Sequence, residues 1–238
     1  MSLFILKVAG MLIYYILSGG HHPFGDKAYE CEYNIHKGKY TLDHVQDVVA
    51  KDLIEWMINE EPKKRPKVEE CLSHPFFWHP DKRVDYLKKV GNINEVKNYK
   101  NADPELISSL EKHAGEGSYK QWKHQFPEEL VQRVEGKKKF YSEDILGLLR
   151  FIRNLHEHYE EDAANLDLLS MFPDLFGGVY ISAKSQGWNT KPSLKKFFRT
   201  EEFPRDNITS RSAAPPTNPD QHVSCPIQET QQVSTKPS

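Results

Sequence analysis

The sequence predicts an all-α protein. Apolar residues recur three and four apart, most regularly at Ile145, Leu148, Leu149, Ile152 and Leu155. Helix-start and helix-stop signals flank the periodic stretches, as at Asp103-Pro104-Glu105 and Glu60-Glu61-Pro62. The chain of 238 residues is long enough to bury a real core, and no internal repeat is visible.

In chain order, residues 4–17 read as an apolar helix of a domain interior, stopped by Gly19-Gly20. Broken by Lys7, this stretch is short of the roughly 20 apolar residues that a membrane span needs, so no membrane segment is expected. A Pro23-Phe24-Gly25 turn and a loop of mixed charge follow. A second helix is expected over residues 43–59, with Val45, Val48, Val49, Leu53, Ile54 and Met57 as its core stripe. Residues 66–73 give a short helix, and His74-Pro75-Phe76-Phe77-Trp78 an aromatic hinge with a domain boundary near Pro80.

Beyond it, Val84, Leu87 and Val90 mark a helix, and Asp103 caps another that holds Leu106, Ile107 and Leu110. A lysine-bearing, glycine-containing loop and the cluster Lys137-Lys138-Lys139 precede the strongest helix, residues 142–159. A last helix is expected from about residue 165, carrying Leu168 and Leu169 and, past a break at Phe172-Pro173, Leu175, Val179, Tyr180 and Ile181. After Arg199, Ser, Thr, Pro, Gln and Asn dominate; such a segment buries too little to offset its ordering entropy and is expected to be a disordered tail.

Composition restricts function. With 32 basic against 34 acidic residues the formal charge is -2, so any nucleic-acid contact has to come from a local patch. Cys31, Cys71 and Cys225 are odd in number and far apart, which fits neither a disulfide framework nor metal-ligand spacing and suits a reducing compartment.

The chemistry-bearing residues lie on the strongest helix. Arg150, Asn154 and His158 recur every four residues and form one polar ridge, with Arg153 beside it. A guanidinium can neutralise charge on a phosphate, an amide can orient an oxygen, and an imidazole can move a proton near neutral pH. Spacing alone equally allows a plain surface: Arg153 and Glu157 are set for an ordinary ion pair, and the helix dipole favours a histidine in the last turn.

The run Leu148-Leu149-Arg150-Phe151-Ile152-Arg153-Asn154-Leu155-His156-Glu157-His158 resembles the core motif of the kinase-extension nuclease (KEN) domain family of stress-sensor kinase/endoribonucleases and ribonuclease L. The resemblance implies that Arg153, Asn154 and His158 are active-site residues of a metal-independent endoribonuclease. In it, the ribose 2′-hydroxyl attacks its own phosphate, and His158 serves as general acid for the leaving 5′ oxygen. Trp122 and the Phe140-Tyr141 pair fall near family positions that flank the site, Tyr141 as proposed base. Trp122, Arg150 and Lys137 to Lys139 are the candidate RNA-binding residues, with Trp122 equally readable as packing. Phe172-Pro173-Asp174-Leu175 agrees with the family's final helix. One departure stands out: Gly147 occupies the position of a family aspartate, with Asp144 one turn earlier as a possible substitute.

The N-terminal part resembles the end of a protein-kinase C-lobe. Residues 10–20 with His22-Pro23-Phe24-Gly25 are similar to its central helix and following loop, and Lys64-Arg65-Pro66 and His74-Pro75-Phe76-Phe77 to its closing helices. The Gly-rich loop, strand lysine, His-Arg-Asp and Asp-Phe-Gly motifs are not in the sequence, so neither ATP nor magnesium has a site and no cofactor is expected. Arg65 lacks the glutamate with which the kinase arginine pairs, which is expected to weaken this part and expose apolar surface.

The expected organisation is a kinase C-lobe fragment over residues 1–79, a KEN domain over 80–199 and a tail over 200–238. RNA is the expected substrate, and a second copy or a full-length relative the expected dimer partner. The cytoplasm, or the cytosolic face of the endoplasmic reticulum, is the expected location. The alternative is a catalytically idle dimerisation module or a truncated pseudokinase fragment of a kinase/endoribonuclease.

Overall fold

In the computed structural model, residues 3–112, 119–136 and 140–199 are described, and among them every regular element is helical. Lys137 to Lys139 and the expected tail lie outside these residues.

Helix α1 (Leu3–Leu17) lies on α3 (Val48–Ile58), burying Leu6 and Tyr14 and bringing Gly10 against Met57 and Ile58. The expectation of burial all round is corrected here: Ile5, Val8, Leu12 and Ile16 are exposed, because α3 takes one face and the opposite face stays open among the described residues. Between them, the supposed loop contains α2 (Ala28–Lys37), closed by Gly38 at φ +63. None of its residues is buried, so it has no apolar stripe by which periodicity could reveal it. Helix α3 starts five residues later than expected, because the Asp47 carboxylate accepts from the Val49 and Ala50 N–H groups at 2.8 and 3.2 Å and sets the start there. Arg65 donates to the carbonyls of Asn59 and Glu60 at the end of α3.

After the short α4 (Val68–Leu72), α5 (Pro80–Val90) begins with proline at its first position, followed by α6 (Asn94–Lys97) and α7 (Pro104–Glu111). Next come α8 (Glu128–Glu135) and α9 (Ile145–His158), the central helix, against which α5, α6, α7, α8 and α10 (Glu160–Ala164) pack. The last helical stretch is broken at Phe172-Pro173 as expected: Asp167 caps α11 (Leu168–Met171), Pro173 interrupts, and α12 (Leu175–Ser185) and α13 (Pro192–Lys195) follow. No described helix is long and apolar enough to cross a membrane.

The N-terminal helices are joined to this body. Val49 of α3 belongs to the same apolar core as the residues around α9, and Gly177 of α12 sits against Val48. Next to that contact is a polar cluster. His74 accepts the Phe76 N–H on Nδ1, which leaves Nε2 to donate to Asp52 at 3.1 Å. Asp52 also accepts from the Tyr180 hydroxyl at 2.8 Å and from Lys184 at 2.6 and 2.8 Å. Burial alone would raise the Asp52 carboxyl, but the bonds from His74, Lys184 and Tyr180 prevail and hold it at about 2.

A carboxylate whose folded value is depressed stabilises the fold above its unfolded value and ceases to do so as pH falls through the folded one. Asp52→Asn is therefore expected to lower stability at pH 7 by on the order of 2 kcal/mol. The deficit relative to the natural chain should shrink as pH falls from about 4 towards 2, which urea unfolding across that range would measure.

Candidate active site

Helix α9 is held by its two ends and by one close crossing. At its start the Asp144 side chain accepts the Gly147 N–H at 2.8 Å, an N-cap that the sequence reading had offered only as a stand-in for the family aspartate. At the crossing, Gly91 follows the last turn of α5; a Cβ there would meet the Leu149 carbonyl at 2.5 Å and Arg153 Cβ at 2.9 Å. Only a residue without a side chain lets α5 come this near to α9.

Three of the expected residues form one chain of contacts. Arg153 donates to the Asn154 side-chain oxygen at 2.7 Å, and the Asn154 amide donates to the Tyr141 hydroxyl at 2.5 Å. Asn154 is 5% exposed, and both ends of its amide are occupied by these neighbours. It is therefore a positioning residue that fixes a guanidinium and a phenol relative to each other. Arg153 is mostly buried and also lies 3.7 Å from Glu157, so the ordinary ion pair suggested by spacing is present as well. His158, at the last helical position one turn beyond Asn154, is exposed.

Tyr141 is 1% exposed, its ring stacked on Tyr99 and set edge-on to Phe151. Burial pushes its hydroxyl above the ordinary phenol value, against smaller lowering effects of Asn154 and Arg150. A shift in this direction disfavours the phenolate that the expected role of base would use.

Two expected RNA contacts are placed elsewhere. Arg150 does not extend the ridge towards solvent but donates to the Gly91 carbonyl at 3.0 Å and the Asn92 side chain at 3.3 Å. Burial, then the charge of Arg153, draws its guanidinium below its ordinary value, as expected where two cations are close. Trp122 is buried at 1% exposure among Phe126 and Phe151, and its indole N–H donates to the Ser142 carbonyl at 2.9 Å. Of its two readings, packing fits this placement: it anchors the segment that carries Tyr141. The neighbouring His156 faces α5, where burial and then Lys88 lower its imidazole, so it is distinct from the exposed His158.

Sequence reasoning missed Tyr99 and Glu135. Tyr99 donates to the Phe140 carbonyl at 2.8 Å, and Glu135 accepts the Tyr141 N–H at 3.3 Å and the Lys123 ammonium at 2.6 Å. Both lie outside the motif helix, and no spacing rule links them to it.

This helical domain gathers a guanidinium, an amide, a phenol and an imidazole about one helix, and residues 83–198, which hold it, match the family described as ribonuclease 2-5A. Among its relatives are the sensor for unfolded proteins in the ER, ire1, of Schizosaccharomyces pombe, 37% identical over 178 residues, and the serine/threonine-protein kinase/endoribonuclease IRE1 of Hypocrea jecorina, 36% identical over 164. The human serine/threonine-protein kinase/endoribonuclease IRE2 is 32% identical over 175. These alignments cover 72%, 66% and 71% of the chain but only 16%, 13% and 18% of the respective relatives.

The family departure at Gly147 has a steric meaning here. A Cβ at this position would lie 2.0 Å from the Ser142 carbonyl oxygen. Gly147→Asp, which restores the family residue, is expected to destabilise the fold by roughly 2 kcal/mol through this clash. A thermal melt would show it as a lowered Tm; an unchanged or raised Tm would contradict the argument.

Proposed function

We propose that this chain is an endoribonuclease module that cleaves RNA without a metal, related to the kinase/endoribonucleases of the unfolded-protein response. The observation that carries this reading is the Arg153-Asn154-Tyr141 chain of hydrogen bonds beside an exposed His158 on one helix.

The chemistry follows from what each group can do. The ribose 2′-hydroxyl gives up its proton to solvent water as its oxygen forms a bond to the adjacent phosphorus, and the bond to the 5′ oxygen breaks, leaving a cyclic phosphate. Negative charge builds on the phosphate oxygens, and Arg153, held by Asn154, supplies the opposing charge. His158, open to solvent, hands a proton to the departing 5′ oxygen. Tyr141, fixed by the bond from the Asn154 amide, orients the attacking hydroxyl. We read helices α1 to α4 as the closing part of a kinase lobe. The reading includes association with a second copy or a longer relative, and action on the cytosolic side, in the cytoplasm or at the endoplasmic reticulum.

Purified chain incubated with a hairpin RNA in EDTA is expected to cut single-stranded loop positions, and His158→Ala to slow this by at least about a hundredfold. Cleavage that persists in the variant, or that requires a divalent cation, would sink the assignment. Asn154→Ala leaves the Tyr141 hydroxyl without its partner and releases Arg153; it is expected to lower both cleavage and stability, the latter by about 1–3 kcal/mol.

A further inference from the structure

Phe140 combines two properties that seldom occur together: it is 64% exposed, yet it is fastened from several sides. The Lys123 ammonium lies 4.0 Å from the centre of its ring. That ammonium is itself held by Glu135 at 2.6 Å, and the same Glu135 oxygen accepts the N–H of Tyr141, the next residue. On the other side of the peptide, Tyr99 donates to the Phe140 carbonyl while its ring stacks on Tyr141. A solvent-facing phenylalanine gains nothing from burial, so this much restraint on it is unexplained by folding alone.

Its place in the chain supplies the explanation. Phe140 directly precedes Tyr141, whose hydroxyl is bonded to Asn154, and Arg150 and Arg153 set two positive charges close by. We propose that Phe140 is a stacking platform for a nucleobase flanking the scissile phosphate of a single-stranded RNA. The ring is open enough to take a flat partner, and the Lys123 ammonium over it and the Arg153 guanidinium beyond Asn154 supply positive charge for the phosphate attached to that partner. Restraint before binding lowers the ordering cost of the contact. The proposal rests on the endoribonuclease reading and deepens it by assigning a base-recognition residue.

The test uses the whole chain and a hairpin RNA whose loop sugars are 2′-O-methylated, so that no 2′-hydroxyl is free to attack. Binding by fluorescence anisotropy is expected to weaken on the order of tenfold for Phe140→Ala and to stay within about twofold for Phe140→Trp. Abasic loop positions introduced one at a time should include one that weakens binding by the natural chain and has no further effect on Phe140→Ala. Equal binding by Phe140→Ala, or abasic losses that are identical in the two proteins, would overturn the platform. So would a loss of affinity that tracks loss of self-association in sedimentation, since Phe140 would then be a contact between copies. Cleavage of unmodified hairpin by the natural chain and His158→Ala is read separately. Absent cleavage with the base-specific coupling intact removes the nuclease reading and leaves the RNA platform; His158-dependent cleavage with no coupling does the reverse.

Discussion

A buried amide has to find partners for both its ends, and Asn154 meets that demand in a way that organises the whole site. Helix α9 is enclosed by α5, α6, α7, α8 and α10, so little of its surface is left for chemistry. Asn154 lies inside that enclosure. Its oxygen takes the Arg153 guanidinium and its nitrogen takes the Tyr141 hydroxyl, and each of those side chains loses freedom as a result. Tyr141 then carries the constraint outward, through its backbone to Glu135 and through its ring to Tyr99. Residues from α8, from the turn near Tyr99 and from the segment before α9 are thus held in relation to one motif on one helix.

The same logic accounts for the way α9 starts. The tight path between Tyr141 and Asp144 places the Ser142 carbonyl where it accepts the Trp122 indole N–H and comes close to Gly147. A glycine is needed where the segment folds back so closely over the first turn, and the Asp144 carboxylate caps the helix through the Gly147 N–H. Trp122, with its indole committed to that start, belongs to the scaffold.

What the sequence revealed and what it concealed follow one physical distinction. Helices with a buried stripe, such as α3, α5, α7 and α9, leave a period of three and four that can be read directly. Helix α2 buries nothing and leaves no comparable trace. Starts of helices depend on single hydrogen bonds, which is why the Asp47 cap shifted α3. Likewise the site was legible where it is local, at Arg153, Asn154 and His158, and ambiguous where it is not. Only the family resemblance pointed to the Phe140-Tyr141 pair before α9. The Asn154 bond decides that Tyr141 is the one facing the motif, while the adjacent Phe140 turns to solvent.

The union of the N-terminal helices with α12 ties the site to the start of the described chain. Asp52 on α3 and Tyr180 and Lys184 on α12 form a charged contact whose other member, His74, also caps the turn leading towards α5. Any displacement of α3 must either break those bonds or drag α12 and the turn with it. Because an unpaired buried carboxylate is costly, the second course is favoured over small movements. Helix α5, a few residues beyond that turn, ends at Gly91 against Leu149 and Arg153, and Gly91 holds Arg150 through its carbonyl. A continuous route of packed and hydrogen-bonded groups therefore runs from the N-terminal helices to the arginines of the site. It is a physical connection; coupling along it requires that α5 have a second resting position against α9, and the crossing at Gly91, where no side chain intervenes, is where such a shift would meet the least resistance.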